Sequence, residues 1–262
     1  MHIEVVTLFP EMIRGALGFG VVGRAIERGL VAVGTEDPRA HATDPHRTVD
    51  DRPYGGGPGM VGTPGPWGAA IDAASARARG AAGSAGVARI YLSAQGVRFE
   101  QRQARELADL PGFVLVAGRY EGLDERVIEA RIDRELSLGD FVLSGGEFAA
   151  LAVIDAVVRL RPGVLGDERS SEEESFSHGL LDWPHYTRPV VWEGREVPEV
   201  LQGGHHAQIA RWRLKQALGR TQLRRPDLLE ELRKSDNRGG LDAESRALLQ
   251  EFLAEREVEK NG

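Results

Sequence analysis

A chain of 262 residues with 41% hydrophobic and 28% charged side chains can bury a sizeable core, which excludes disordered and fibrous classes. Its length exceeds a typical domain of about 100 to 200 residues, so a large domain plus a smaller one is expected. A net charge of −7 argues against coating nucleic acid through bulk positive charge, and any RNA site must be a local patch. With no cysteine, disulfides, thiolate zinc sites, iron–sulfur clusters and cysteine nucleophiles are all excluded. The N-terminus lacks a basic region followed by a long apolar stretch, and no run reaches the ~18 apolar residues of a membrane helix. The expectation is a cytoplasmic protein with no membrane contact.

Along the chain, Ile3 to Leu8 is a β-branched apolar run ending at Phe9-Pro10, and Glu11 to Leu17 and Val22 to Leu30 carry helical spacing. The runs Val87 to Ser93 and Phe113 to Gly118 read as strands separated by a helix over Glu100 to Leu107. A third unit follows, with Asp124 to Ala130 helical, Ile132 to Leu138 extended and Glu147 to Leu160 a long apolar helix. This alternation predicts an α/β fold with a mostly parallel sheet. The Ala/Gly/Arg-rich stretch from Ala73 to Gly86 reads as a helix end and a flexible loop. A first domain is expected over residues 1–166 and a polar, acidic linker over 167–178. A small helical domain follows over 179–262, with helices at Gly204 to Leu218 and Pro226 to Lys234.

Gly57-Pro58-Gly59-Met60-Val61-Gly62 matches the dinucleotide-binding pattern, but Asp50 to Tyr54 before it and Thr63-Pro64-Gly65-Pro66 after it do not read as a strand and a helix, so a nicotinamide enzyme is disfavoured. Gly118-Arg119-Tyr120-Glu121-Gly122 directly follows an apolar strand, where α/β proteins place ligand-contacting loops. Leu138 to Glu147 crosses from strand to helix with three glycines. On its residues alone it is either a tight turn or a wall whose bare backbone can surround a flat ring. His205 and His206 are adjacent and His41 and His46 lack a third ligand, so no metal is expected. From His205 to Arg225 there are six basic residues and no acidic one. These include Arg211, Arg213, Lys215 and Arg220, which form either a solvated face or a phosphate-binding surface.

Three ordered blocks, His46 to Met60, Gly118 to Arg126 with Leu138 to Glu147, and Gly179-Leu180-Leu181-Asp182-Trp183-Pro184-His185-Tyr186-Thr187-Arg188-Pro189, together resemble the bacterial tRNA (guanine-N1)-methyltransferases across roughly residues 2–233. The resemblance implies a SPOUT-type domain with a deep trefoil knot, a homodimer with no other protein partner, tRNA as substrate and S-adenosylmethionine as cofactor. It assigns cofactor contacts to Tyr91, Leu92 and Ser93, to Gly118, Tyr120 and Glu121, and to Ser137, Leu138, Gly139, Leu143, Gly145 and Gly146. It adds Asp50, Asp182, His185 and Arg188 to the basic residues as RNA contacts. Members of this family carry proline where this chain has Ala94 and Ala149.

Guanine N1 holds a proton at neutral pH, so methylation there needs a base and a group to stabilise charge moving onto O6. The resemblance places an arginine for O6 at Arg159 and the base at Glu174. The family has aspartate at the second position; glutamate keeps the carboxylate and adds a methylene. Asp182 is the alternative base.

Overall fold

Apolar runs that alternate with helices set the order of the first unit. It runs β1 (His2–Val6), α1 (Pro10–Leu17), α2 (Gly20–Glu27), β2 (Ala32–Glu36), a 3-10 turn (Pro38–His41), β3 (Asp50–Asp51), β4 (Val61–Gly62) and α3 (Pro64–Ala82). Then come β5 (Ala88–Arg98), α4 (Gln101–Ala108), β6 (Gly112–Val116), α5 (Glu125–Arg131), β7 (Arg134–Ser137) and α6 (Glu147–Val158). The structure, a computed structural model, describes residues 1–83, 86–166, 174–235 and 241–261. It divides into two units, Met1–Glu168 and Arg169–Gly262.

The main sheet has five strands in the order β2-β1-β6-β5-β7, all paired in parallel. Alternation along each strand feeds two apolar layers. Ile3, Val5, Ile90, Leu92, Phe113 and Leu115 pack with α1, α2, α4 and α6, whereas Val6, Tyr91, Val114 and Val116 pack with α3 and α5. Covering both faces is what a parallel sheet requires.

Two elements differ from the sequence reading. The helix α3 begins at Pro64, in a stretch read as loop, and continues through the low-complexity segment. Proline is tolerated at a first helical position because that N–H has no intrahelical partner. Trp67, Ala70, Ile71, Ala74 and Ala78 form its buried stripe, whose small residues disguise an amphipathic pattern. The strand β2 has little apolar alternation because it borders ionic side chains. Buried Glu4 accepts from Arg77 at 2.7 Å, His2 Nε2 lies 2.7 Å from it, and Arg77 also reaches Glu36 at 2.6 Å. Hydrogen bonding to Glu4 raises the Arg77 pKa. Gly34 in β2 is required by this contact, since a Cβ there would lie 2.3 Å from Glu4 Oε1.

The strand β5 pairs Leu92 with Leu136 and then Val97 with the same residue, so residues 93–96 bulge out of the ladder. Gly96 permits the return, because a Cβ there would meet the Leu136 nitrogen at 2.5 Å.

The second unit holds a hairpin of β8 (Val191–Trp192) and β9 (Arg195–Glu196), then α7 (Glu199–Gln202), α8 (His206–Arg224), α9 (Pro226–Ser235) and α10 (Ala243–Asn261). Leu218, Leu229, Leu248 and Leu249 form its core. The sequence reading did not include α10, which packs tightly on α8: a Cβ at Gly219 would lie 2.2 Å from the Phe252 ring. Beside that contact Arg211 reaches Glu251 at 2.6 Å, and Lys215 reaches Glu251 at 2.9 Å and Glu255 at 2.8 Å.

Hydrogen bonds from Arg211 and then Lys215 draw the Glu251 carboxyl from 4.5 down to about 2. A carboxyl whose folded-state pKa lies below its unfolded value stabilises the fold above the unfolded value, and that contribution fades as pH falls toward the folded one. Thermal melts followed by circular dichroism should therefore show the second unit weakening between pH 4.5 and about 2, with the slope in that window reduced by Glu251→Gln.

Candidate active site

Parallel strands end on a common edge, so the segments leaving β5, β6 and β7 converge. The bulge at 93–96, the loop at 117–122 and the crossing at 138–146 enclose a cleft of about 190 Å³. All twelve residues that the resemblance assigns to the cofactor line it: Tyr91, Leu92 and Ser93; Gly118, Tyr120 and Glu121; Ser137, Leu138 and Gly139; Leu143, Gly145 and Gly146. Ala94 and Ala149 lie in the same wall, as does Arg119.

Backbone bonds hold these segments together. Gly146 N donates to Gly118 O at 3.0 Å, and Arg119 pairs with Gly145 in an antiparallel bridge. Gly146 must be glycine for this approach, since its Cβ would fall 2.8 Å from Ala117 Cα. On the other side, Glu121 N donates to Met60 O at 3.1 Å and Gly62 N to Gly122 O at 2.8 Å. The glycine-rich segment that formally resembled a dinucleotide motif thus buttresses the cleft. A Cβ on Gly59 would sit 2.3 Å from Glu121 Oε1, so its absence makes room for that carboxylate. Contrary to the sequence reading, the segment does open a helix, α3. It is preceded by β3 and itself ends in β4, a short antiparallel pair outside the main sheet.

Beneath the cleft lies a buried charge network that sequence reasoning missed. Glu147, the first residue of α6, is fully buried; it accepts from Thr7 Oγ1 at 2.9 Å and lies 3.0 Å from Arg119 Nε. Arg119 also donates to Ser144 O at 3.2 Å and stacks its guanidinium 4.3 Å from the Phe9 ring centroid. Thr7 Oγ1 in turn accepts from Phe9 N at 2.9 Å. One carboxylate therefore ties the end of β1, the loop after β6 and the start of α6. The only sequence signal was the pairing of an arginine between glycines with a glutamate after two glycines. Nearby, burial pushes the Tyr91 phenol up to about 12, which keeps it a neutral hydrogen-bonding group.

The remaining candidates lie elsewhere. Asp50 sits in β3, paired with Gly62. Arg159 caps the far end of α6, twelve residues after Glu147 and so about 18 Å along the helix, and it does not line the cleft of its own chain. Glu174 belongs to the second unit, where it lines a separate cavity of about 340 Å³ with His178, Asp182, Trp183 and Arg213. Asp182 accepts from Trp183 N at 2.7 Å and its other oxygen lies 2.7 Å from His185 Nε2, while the Arg213 guanidinium lies 4.8 Å from the Trp183 ring centroid. Arg188 is exposed. Arg211 and Lys215 are engaged by the α10 carboxylates, so this part of the basic run is neutralised within the unit. Arg220 is half-buried on the same helix. Among the described residues no group of three or more His, Asp or Glu could hold a metal ion, and no helix is long and apolar enough to cross a membrane.

Glycine-walled loops around a cleft at the carboxyl ends of parallel strands define an α/β protein with its cleft where such folds commonly place ligands. A family model described as tRNA (Guanine-1)-methyltransferase TrmD matches residues 1–231. Proteins named tRNA (guanine-N(1)-)-methyltransferase from Chromohalobacter salexigens, Serratia proteamaculans and Shewanella amazonensis are 56%, 55% and 57% identical to it. The matches cover 100%, 99% and 93% of this chain and 96%, 97% and 96% of theirs. The chain belongs to the tRNA (guanine-1)-methyltransferase family.

Removing Glu147 leaves the Arg119 guanidinium, 18% exposed, without its buried counter-charge. Loss of one partner from a buried pair typically costs about 3–5 kcal/mol. Urea unfolding of Glu147→Ala should show a loss toward the lower end of that range because Arg119 retains some solvent. Glu147→Gln, which still accepts from Thr7, should lose less.

Proposed function

We propose that this protein methylates N1 of the guanosine just 3′ of the anticodon in tRNA, using S-adenosylmethionine, as a cytoplasmic homodimer whose first domain (1–166) carries the trefoil knot. The observation that carries the reading is the convergence of the twelve assigned residues on one cleft. The cleft suits the cofactor chemically. Leu138, Leu143 and Ala149 offer apolar wall to a flat base, the glycine segments offer backbone donors and acceptors, and Glu121 offers a carboxylate to hydroxyls or a cationic centre. When bound, the cofactor supplies an electrophilic methyl group on a sulfonium.

In this reading Glu174 removes the N1 proton and the Arg159 guanidinium stabilises charge on O6. The dimer interface places one protomer's lid near the other's cleft, so catalysis needs both chains. Exposed apolar side chains lining the cleft support a covering partner: Phe141 and Val142 are 55% and 89% exposed. The 167–178 segment acts as a lid that completes the site when tRNA docks; of it, residues 167–173 lie outside the described residues. Residues 179–262 form the tRNA-binding domain.

Incubation with the methyl donor and an unmodified tRNA transcript, followed by mass-spectrometric mapping, should locate one methyl on N1 of that guanosine. A methyl elsewhere, or none, defeats the reading. Glu174→Ala should abolish turnover while donor binding persists, and single-turnover activity near wild type would remove Glu174 as the base. Mixed dimers carrying Arg159→Ala in one chain and Glu174→Ala in the other should regain up to half of the wild-type activity, because one of the two shared sites is then intact. Inactivity of every mixture would refute shared sites.

A further inference from the structure

In the second unit, Arg220 and Arg224, one turn apart on α8, and Arg256 on α10 line a cleft of about 290 Å³ with Tyr186, Gln216 and Glu255. None of the three guanidiniums makes an ion pair or hydrogen bond among the described residues. Glu255 does not neutralise them, because both of its oxygens are held by Lys215 Nζ at 2.8 and 2.9 Å. Arginine cannot shed its charge by titration. Three like charges lining one cleft repel one another, and an entering anion relieves that repulsion. The chain has 40 acidic residues against 33 lysines and arginines, so unpaired cations here do not follow from a shortage of carboxylates. Neighbouring Arg211 and Lys215 show the contrast, since both are paired to α10.

We propose that this cleft between α8 and α10 binds consecutive backbone phosphates of the RNA substrate, with Arg256 as a contact contributed by the C-terminal helix; the identity of the anion rests on the proposed tRNA reading. Planar guanidinium forks suit bidentate phosphate oxygens. Tyr186, 48% exposed, has its ring centroid 6.3 Å from that of Trp212 at an interplanar angle of 55°. It gives the cleft an aromatic face beside the cations, the pairing that single-stranded nucleic-acid sites use. The helix carrying Arg256 lies beyond residue 231, where the family match ends.

Full-length Arg256→Gln and Arg220→Gln are compared with wild type for binding of a labelled tRNA transcript by fluorescence anisotropy between about 0.05 and 0.2 M salt. Donor binding is measured by calorimetry, and melting without RNA is recorded. Each variant should lose about tenfold in tRNA affinity at low salt, and the slope of log K against log salt should fall by about one for each contact removed. Donor affinity should be unchanged and melting equal or higher, since repulsion is relieved. Unchanged tRNA affinity and slope in both variants would overturn the proposal. If they stay unchanged while the wild type methylates the transcript, the cleft is refuted and the activity stands. If the wild type binds but does not methylate and the slopes still fall, the phosphate cleft stands and the activity is refuted. Inorganic phosphate competing at millimolar concentration as strongly as the RNA would also overturn it, as the site would then take free phosphate.

Discussion

A single buried carboxylate, Glu147, organises the candidate active site. Desolvating a carboxylate and a guanidinium is expensive, and the pair is tolerable only where geometry and extra hydrogen bonds compensate. Thr7 and the Ser144 carbonyl provide those bonds. Because Thr7 follows β1, Arg119 leaves β6 and Glu147 starts α6, one network fixes the relative placement of three segments. The Gly118–Gly146 backbone bond and the Gly59–Glu121 approach then follow as close-packed consequences, each needing a glycine where a Cβ would collide.

The second unit distributes charge by the opposite logic. Its basic helix α8 buries Lys215 against two α10 carboxylates, which aligns the helices, while Arg220, Arg224 and Arg256 turn to a separate cleft. A run that looks uniformly basic in sequence is thereby split into a structural half and an anion-facing half. An acidic protein can in this way concentrate positive potential without a high overall charge.

The legible parts of the sequence were those governed by short-range pattern. The apolar runs at Ile3, Val87 and Phe113 become strands, and the glycines at 118, 145 and 146 mark places where backbone approaches backbone. The illegible parts depend on partners far along the chain. The strand β2 is polar because Glu4 and Arg77 face it, and α3 hides its stripe in alanines. Neither the Thr7–Glu147 bond, spanning 140 residues, nor the α10 partners of Arg211 and Lys215 can be read from local spacing. The placement of Arg159 at the far end of α6 was implicit in the helix length.

The strand order carries a consequence for biosynthesis. The middle strand β6 is flanked by β1 and β5, and β1 leaves the ribosome roughly a hundred residues before it. At about 5–20 residues per second, β1 and β2 wait on the order of 5–20 s as a two-stranded ribbon with an open apolar edge. An unpaired strand edge of this kind is a template for pairing with another chain. The interval ends only when Gly112–Val116 emerges to pair with β1 and, on its other side, with β5.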